Sequence, residues 1–459
     1  MIQSDVDAER TEDSKATDPG GPHIALITPY NGGNLGDAAI QDSMISNLKV
    51  RIPDVHFLGI SLNRENFLRR HGVNAFPLLP TIDSRKARIE DSAGSLRRRA
   101  RSRLLRVRRI GPVIDKCLNR IAAISREVRH SVEAYRILRT QDLLLISGGG
   151  QLDEEYGGPW RLPIAYLKWT FLAKLAGVPC AIASVGTGRL QTPQTRKLVR
   201  WVLKLCCYRS FRETRSRDVA ARLLEGVKDD PVVADLAFSL PESQIPCGSA
   251  EVRNRAGGRR IVALSPICYA KPGQWPRPDA ACYSRYLGEV AGVLESLIQS
   301  DYFVVVVCSS LGDDESVIPD LVARLDEKTR NSLERSCYFP PANTWRDFVS
   351  ILQETDFLIA SRLHGTILAF VSRIPVVAIS FDPKVDWVMQ DLGLEEYLLH
   401  FRDFRAQDVI SALQKLEGAR SQVVRQIAKY RHQVLSASES SRQFDHLSQL
   451  ALHHANSRR

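Results

Sequence analysis

The stretch Asp356–Phe381, DFLIASRLHGTILAFVSRIPVVAISF, decides the fold. Two short apolar runs, FLIA and PVVAIS, bracket a helix-length segment, and runs without polar alternation are strands covered on both faces. Strand, helix and strand in so few residues make a parallel βαβ unit, with Ser361-Arg362-Leu363-His364-Gly365 at the strand-to-helix turn. Open α/β sheets bind ligands at that turn, because the N–H groups and dipole of a helix start attract anions. Arg362 and His364 therefore mark a candidate anion site.

The same alternation extends through the chain: HIALIT, VHFLGI, DLLLIS, CAIASV, CCYRSF, RIVALSP and YFVVVVCSS precede the two runs already quoted. With 459 residues, 44% hydrophobic and 25% charged, the chain is long enough for two such units. Residues 241–260 lack periodicity and are rich in Pro, Gly, Ser and charge, so a linker is placed at 246–260. The expected organisation is a disordered tail at 1–21, an α/β domain at 22–245, a second at 261–405 and helices at 406–459 placed to pack back across the domains. The fold class is α/β, with two Rossmann-like domains of parallel sheet.

The polar, acidic N-terminus is unlike a signal peptide, and nine cysteines include no CxxC pair, which reads as a reduced, cytoplasmic protein. The most apolar window, Leu162–Val185, is broken by Lys168, Lys174 and Pro179 and divides into a helix and a strand rather than a membrane span. A net charge of +11 implies anionic partners. Much of it lies in an insertion at 85–139, where Leu, Val and Ile are interspersed with many arginines. This segment reads either as a solvated helix or as an electrostatic footing on anionic lipid head groups, at the inner membrane face, or on a lipid-pyrophosphate substrate. Nucleic acid is not expected, since no zinc, helix-turn-helix or stacking-aromatic signature accompanies the charge.

Three strand ends of the first domain run into glycine-rich loops: PYNGGNLGDAAI, SGGGQLDEE and SVGTGRL. Gly36, Gly149 and Gly150 let backbone approach a ligand, and Asn34 and Asp37 sit at the helix start. On spacing alone Asp37 reads first as a cap, and neither a dinucleotide fingerprint nor a Walker loop is present. In YRSFRETRS, Arg212 follows a strand, where its guanidinium would clamp a carboxylate or phosphate, and Ser216 is placed to cap the next helix. Arg362, His364, Gly365 and Lys384 lie at two neighbouring strand ends of the second domain and make a cationic, proton-donating corner, with Gly365 permitting close ligand approach. No His, Cys and carboxylate spacing matches a metal site, so no metal is expected.

The ordered set NGGNLGDAAI, SGGGQL, SVGTG, FRETRS, SRLHGTILAF and PVVAISFDPKV resembles the polysaccharide pyruvyl transferase family from about residue 23 to about residue 390. The resemblance implies a GT-B-like pair of domains and transfer of pyruvate from phosphoenolpyruvate to two hydroxyls of one sugar, giving a cyclic ketal and phosphate with no cofactor. It implies donor binding and catalysis at Arg212, Arg362 and His364, with Lys384 and Gly365 beside them. Asp37 would orient or deprotonate the acceptor hydroxyl, and Asn34, Gly36, Gly149 and Gly150 would form the acceptor loops. The acceptor would be a glycan or a lipid-linked oligosaccharide. Two competing readings are a GT-B nucleotide-sugar glycosyltransferase, which needs a carboxylate for the ribose hydroxyls, and a non-catalytic polyanion- or membrane-binding protein.

Overall fold

The computed structural model describes residues 20–80, 111–155, 157–188, 190–436 and 438–458. The tail expected at 1–21 lies outside them except for its last two residues, and so do residues 85–110 of the basic insertion.

Strands β1 (His23–Ile27), β2 (His56–Ser61), β3 (Ala75–Pro77), β4 (Leu143–Ser147), β5 (Cys180–Val185) and β6 (Tyr208–Phe211) form one sheet in the order β3-β2-β1-β4-β5-β6. Strands β7 (Ile261–Ser265), β8 (Phe303–Val306), β9 (Cys337–Tyr338), β10 (Phe357–Ala360), β11 (Val376–Ser380) and β12 (Leu398–His400) form a second in the order β12-β11-β10-β7-β8-β9. All pairings are parallel. Each sheet is doubly wound, and its strand order reverses between β1 and β4 or between β7 and β10. Those are the points at which a crevice opens at the carboxyl ends of the strands.

Every residue of β4, β5, β7, β8, β10 and β11 is buried, as their unbroken apolar runs require. The three strands not foreseen, AFP, CY and LLH, are the edge strands β3, β9 and β12. Pairing on one side only, over two or three residues, leaves no apolar run in the sequence. The window Leu162–Val185 divides as read, into the helix Leu162–Leu175 and β5. Among the described residues no helix is long and apolar enough to cross a membrane.

The segment read as an aperiodic linker carries the helix Glu251–Ala256, whose Val252 and Ala256 are buried against β7 and β8. Glu354 fixes it by accepting from the N–H groups of Ser249 (2.8 Å) and Val252 (2.8 Å). Six residues make too few turns for a helical period to register in sequence. The helix Ala406–Ser436 packs on the second domain, and Ser438–Arg458 returns to the first, where Arg458 donates to the Gln141 carbonyl (2.8 Å).

The domains meet through apolar packing and polar stitches. Leu35 N–H donates to the Ser309 carbonyl (3.0 Å), and Leu311 N–H to the Gly33 carbonyl (2.8 Å). On the helix Leu35–Arg51, Asp42 accepts from Trp345 Nε1 (2.7 Å) and Arg346 (2.6 Å) of the facing domain, and pairs with His71 Nδ1 (2.6 Å) of its own.

Candidate active site

The carboxyl ends of both sheets face one interdomain cleft, lined from one side by Asp37, Gly149, Gly150 and Arg212 and from the other by Arg362, His364 and Lys384. Its first-domain wall begins where β1 enters the helix Leu35–Arg51. Asn34 caps that helix, its Oδ1 accepting from Gly36 N–H (3.0 Å) and Asp37 N–H (3.4 Å), which fixes Asp37 in the first turn. Asn34 also bridges to Ser310 of the second domain, so it is a cap and a stitch as well as a cleft residue.

At Gly36 the two domains touch within the cleft. A Cβ there would lie 2.0 Å from His364 Cγ, so the imidazole rests against the bare backbone. His364 Nδ1 stands 3.9 Å from Asp37 Oδ1 and its Nε2 stands 3.7 Å from Asp235 Oδ2. An imidazole from one domain is thus flanked by two carboxylates of the other.

Asp235 was not singled out from sequence. It follows the apolar PVVA and caps a single 3-10 turn through Ala237 N–H (3.0 Å), a setting that reads as structural. Burial opposes its charge, yet the His364 and Arg212 contacts outweigh that and hold its carboxyl well below the ordinary range. The Asp37 carboxyl moves the other way. Burial raises it and the Asp235 charge adds to the rise, against His364 and Arg212.

Arg212, directly after β6, donates from Nε to Glu213 (2.9 Å) and from NH1 to Asp235 (3.0 Å). Its guanidinium lies over Gly186, where a Cβ would come within 2.5 Å of Nε, which explains the glycine in SVGTG. Gly148 and Gly149 adopt positive φ (55° and 73°), and this turn carries Gly150 to the same corner. A Cβ on Gly150 would lie 3.5 Å from Lys384 Nζ and 3.9 Å from Arg212 NH2. Ser216 does not cap the helix after β6. Glu213 holds the cap position of Thr214–Ala221, and Ser216, in its first turn, donates to Glu213 and accepts from Thr187 N–H (2.7 Å).

On the second domain, Arg362 precedes the helix Leu363–Val371, whose start makes no side-chain cap hydrogen bond and faces the cleft, a setting that suits an anion. Arg362 is held by a two-pronged pair to Asp314, through Nε and through NH2 (2.8 Å), and Asp314 is fully buried. Gly365 does not face the ligand side. A Cβ there would meet Ser309 Oγ at 3.3 Å and then Phe348. Lys384 lies 3.7 Å from Asp382, which caps the helix Pro383–Asp391. The corner expected to be simply cationic is therefore charge-compensated, with Asp235, Glu213, Asp314 and Asp382 opposite Arg212, Arg362 and Lys384. A wall of packed aromatics, Tyr269 with Trp275 (centroids 5.0 Å) and Phe381 (4.8 Å), borders the cleft and left no sequence signal. Among the described residues no three His, Cys, Asp or Glu side chains are arranged to hold a metal ion.

Two doubly wound domains, a cleft between their strand ends and a C-terminal helix recrossing to the first domain define a GT-B-like enzyme. Residues 34–383, well over half the chain, match the family model "Polysaccharide pyruvyl transferase", and the chain belongs to that family of transferases. Solved structures of the same architecture include the S. aureus MnaA–UDP complex (TM-score 0.54, 11% identity, covering 93% of this chain and 96% of that one). UDP-GlcNAc 2-epimerase from Neisseria meningitidis is similar too (TM-score 0.52, 8% identity, covering 95% and 100%). So is a glycosyltransferase from Rickettsia africae (TM-score 0.52, 11% identity, covering 94% and 99%). At such identities the likeness is one of fold.

Proposed function

We propose that the cleft transfers the pyruvate unit of phosphoenolpyruvate to two hydroxyls of a glycan sugar, forming a cyclic ketal and releasing phosphate, with no cofactor. The observation carrying this reading is the placement of His364 between Asp37 and Asp235, beside a corner built from Lys384, Arg212 and an uncapped helix start. The donor carries a carboxylate and a phosphate, which the corner suits through Lys384 Nζ, the Arg212 guanidinium and the N–H groups of Leu363 to Gly365. Arg362, braced on Asp314, frames the same side.

In the proposed reaction His364 gives a proton to enol carbon C3, which becomes the methyl group and leaves C2 electrophilic. One sugar hydroxyl adds to C2 and surrenders its proton to Asp37. The C2–O bond to phosphate then breaks, the second hydroxyl closes the ketal, and its proton leaves with phosphate. Of the two hydroxyl protons, one replaces that given to C3 and one goes to phosphate, so the site returns to its starting state. Asp235 is a positioning residue whose carboxylate, 3.7 Å from His364 Nε2, favours the protonated imidazole through its charge. The wall of Tyr269, Trp275 and Phe381 offers ring faces to the acceptor sugar. The acceptor is a glycan, free or on a lipid carrier, and the basic segment 85–139 brings the enzyme to an anionic membrane surface on the cytoplasmic side.

Phosphate release from phosphoenolpyruvate, measured with glycan and lipid-linked acceptors, tests the reading. It predicts acceptor-dependent release that falls by about 10²- to 10⁴-fold in His364→Ala, the range for a general acid. Consumption of a sugar nucleotide in place of phosphoenolpyruvate would move the assignment to a glycosyltransferase.

A further inference from the structure

The described part of the insertion is the helix Gly111–Leu138. Residues 118–126 are exposed on every side, and from Glu127 onward the side chains divide by face. His130, Ala134 and Leu138 are buried against the first domain, whereas Leu118, Ile121, Ile124, Val128 and Val132 are exposed. At 100° per residue these five fall within about a third of the helix circumference, opposite the buried set. A helix in water does not ordinarily aim its whole outer apolar stripe at solvent.

The stripe continues onto its neighbours. The helix packs beside Leu162–Leu175, joined by Lys168 Nζ donating to Glu127 (2.7 Å), and that helix packs beside Pro193–Leu205. The outer sides of these two carry Phe171, Leu175 and Trp201, all more than half exposed. Trp160, 71% exposed, precedes Arg161, which lines the cleft. Nine of the thirteen large exposed apolar side chains among the described residues thus lie on one flank of one domain, ending at the cleft mouth.

Cations accompany them. Lys204 Nζ sits 5.2 Å from the Trp201 ring centroid, Lys174 and Arg200 are exposed on the same helices, and Arg129 and Arg136 border the stripe. The preceding residues 85–109 hold eleven Lys and Arg against two Asp and Glu. Exposed Trp, Phe and Ile interspersed with Lys and Arg is the composition of a surface lying in the headgroup layer of an anionic bilayer.

We propose that this three-helix flank docks the enzyme on an anionic phospholipid surface, with the apolar stripe entering the headgroup layer and the cleft mouth held at the membrane. The inference rests on the peripheral-contact reading given above and extends it from a basic segment to a folded face. Neither depends on the donor used in the cleft.

The test is co-sedimentation of the full chain with vesicles of phosphatidylcholine alone and with a third phosphatidylglycerol, at low and high salt. Binding is expected to the anionic vesicles, weaker at high salt, and reduced about tenfold or more in Ile121→Glu/Ile124→Glu. Both positions are more than 60% exposed, so the variant folds, and Trp201→Glu gives an independent second reduction. Phosphate release with a soluble acceptor is unchanged in both. Loss of binding in Arg97→Glu/Arg98→Glu/Arg99→Glu with none in the stripe variants would uphold the basic segment and overturn the folded face. Absence of vesicle binding, with concentration-dependent self-association abolished by the stripe variants, would make the flank an interface between copies and overturn the inference. Equal binding to neutral vesicles would overturn its anionic specificity.

Discussion

At the scale of single residues, the contact between Gly36 and His364 brings the two domains together in the cleft. A methyl at position 36 would overlap the imidazole, so the ring or the domain must move. Gly36→Ala is expected to lower turnover about 10²-fold, the size of effect that misplacing a reacting group by about an ångström produces, with secondary structure intact by circular dichroism. Asp37 allows a test in which activity and stability move oppositely. Its carboxyl is raised, so the folded state holds that proton more tightly than the unfolded chain does. The stabilisation is fully present at acid pH and is lost as pH rises through the folded value. At neutral pH the ionised, partly desolvated carboxylate costs stability, and Asp37→Asn removes that cost. Thermal unfolding should therefore show a higher Tm for Asp37→Asn at pH 7 and no gain at pH 3, while turnover at pH 7 falls at least about 10²-fold. A lower Tm at pH 7 would mean that Asp37 is a structural cap.

At the scale of elements, Asp42 joins two helices of different domains, Leu35–Arg51 and Trp345–Leu352. Asp42→Ala leaves Trp345 Nε1 and the fully buried His71 ring without their acceptor, and is expected to cost about 3 kcal/mol in urea unfolding. What sequence reveals also divides by element. Strands such as LLLIS and PVVAIS were legible because burial on both faces writes an unbroken apolar run. The edge strands AFP, CY and LLH and the six-residue helix Glu251–Ala256 were not, since they are shorter than any period. At the site, the places of Arg212, Arg362, His364 and Lys384 in the cleft were legible because they follow strand ends that face ligands in such folds, whereas Asp37 on spacing alone read as a cap and was singled out only by the resemblance. Asp235 and Asp314 were not: a carboxylate in a loop has no period, and its partner, His364 or Arg362, lies far away in sequence. The same blindness made the corner read as cationic, because counter-carboxylates arrive from other loops.

At the scale of the whole molecule, the C-terminal helices hold the two halves of the cleft in register. Arg431, almost fully buried, donates to the Val371 carbonyl at the end of the His364 helix (3.1 Å) and to the Leu240 carbonyl just beyond Asp235 (2.9 Å). The helix that carries His364 and the segment that carries Asp235 are thus tied to one guanidinium, which holds the imidazole of one domain against a carboxylate of the other. The most direct test of that centre is the reaction run in D2O with phosphoenolpyruvate and an accepted glycan, followed by mass spectrometry of the purified product. The expected product is a ketal whose methyl carries one deuterium, formed at a rate that collapses in His364→Ala. A ketal without deuterium, or formed equally fast by the variant, would contradict protonation of C3 by His364.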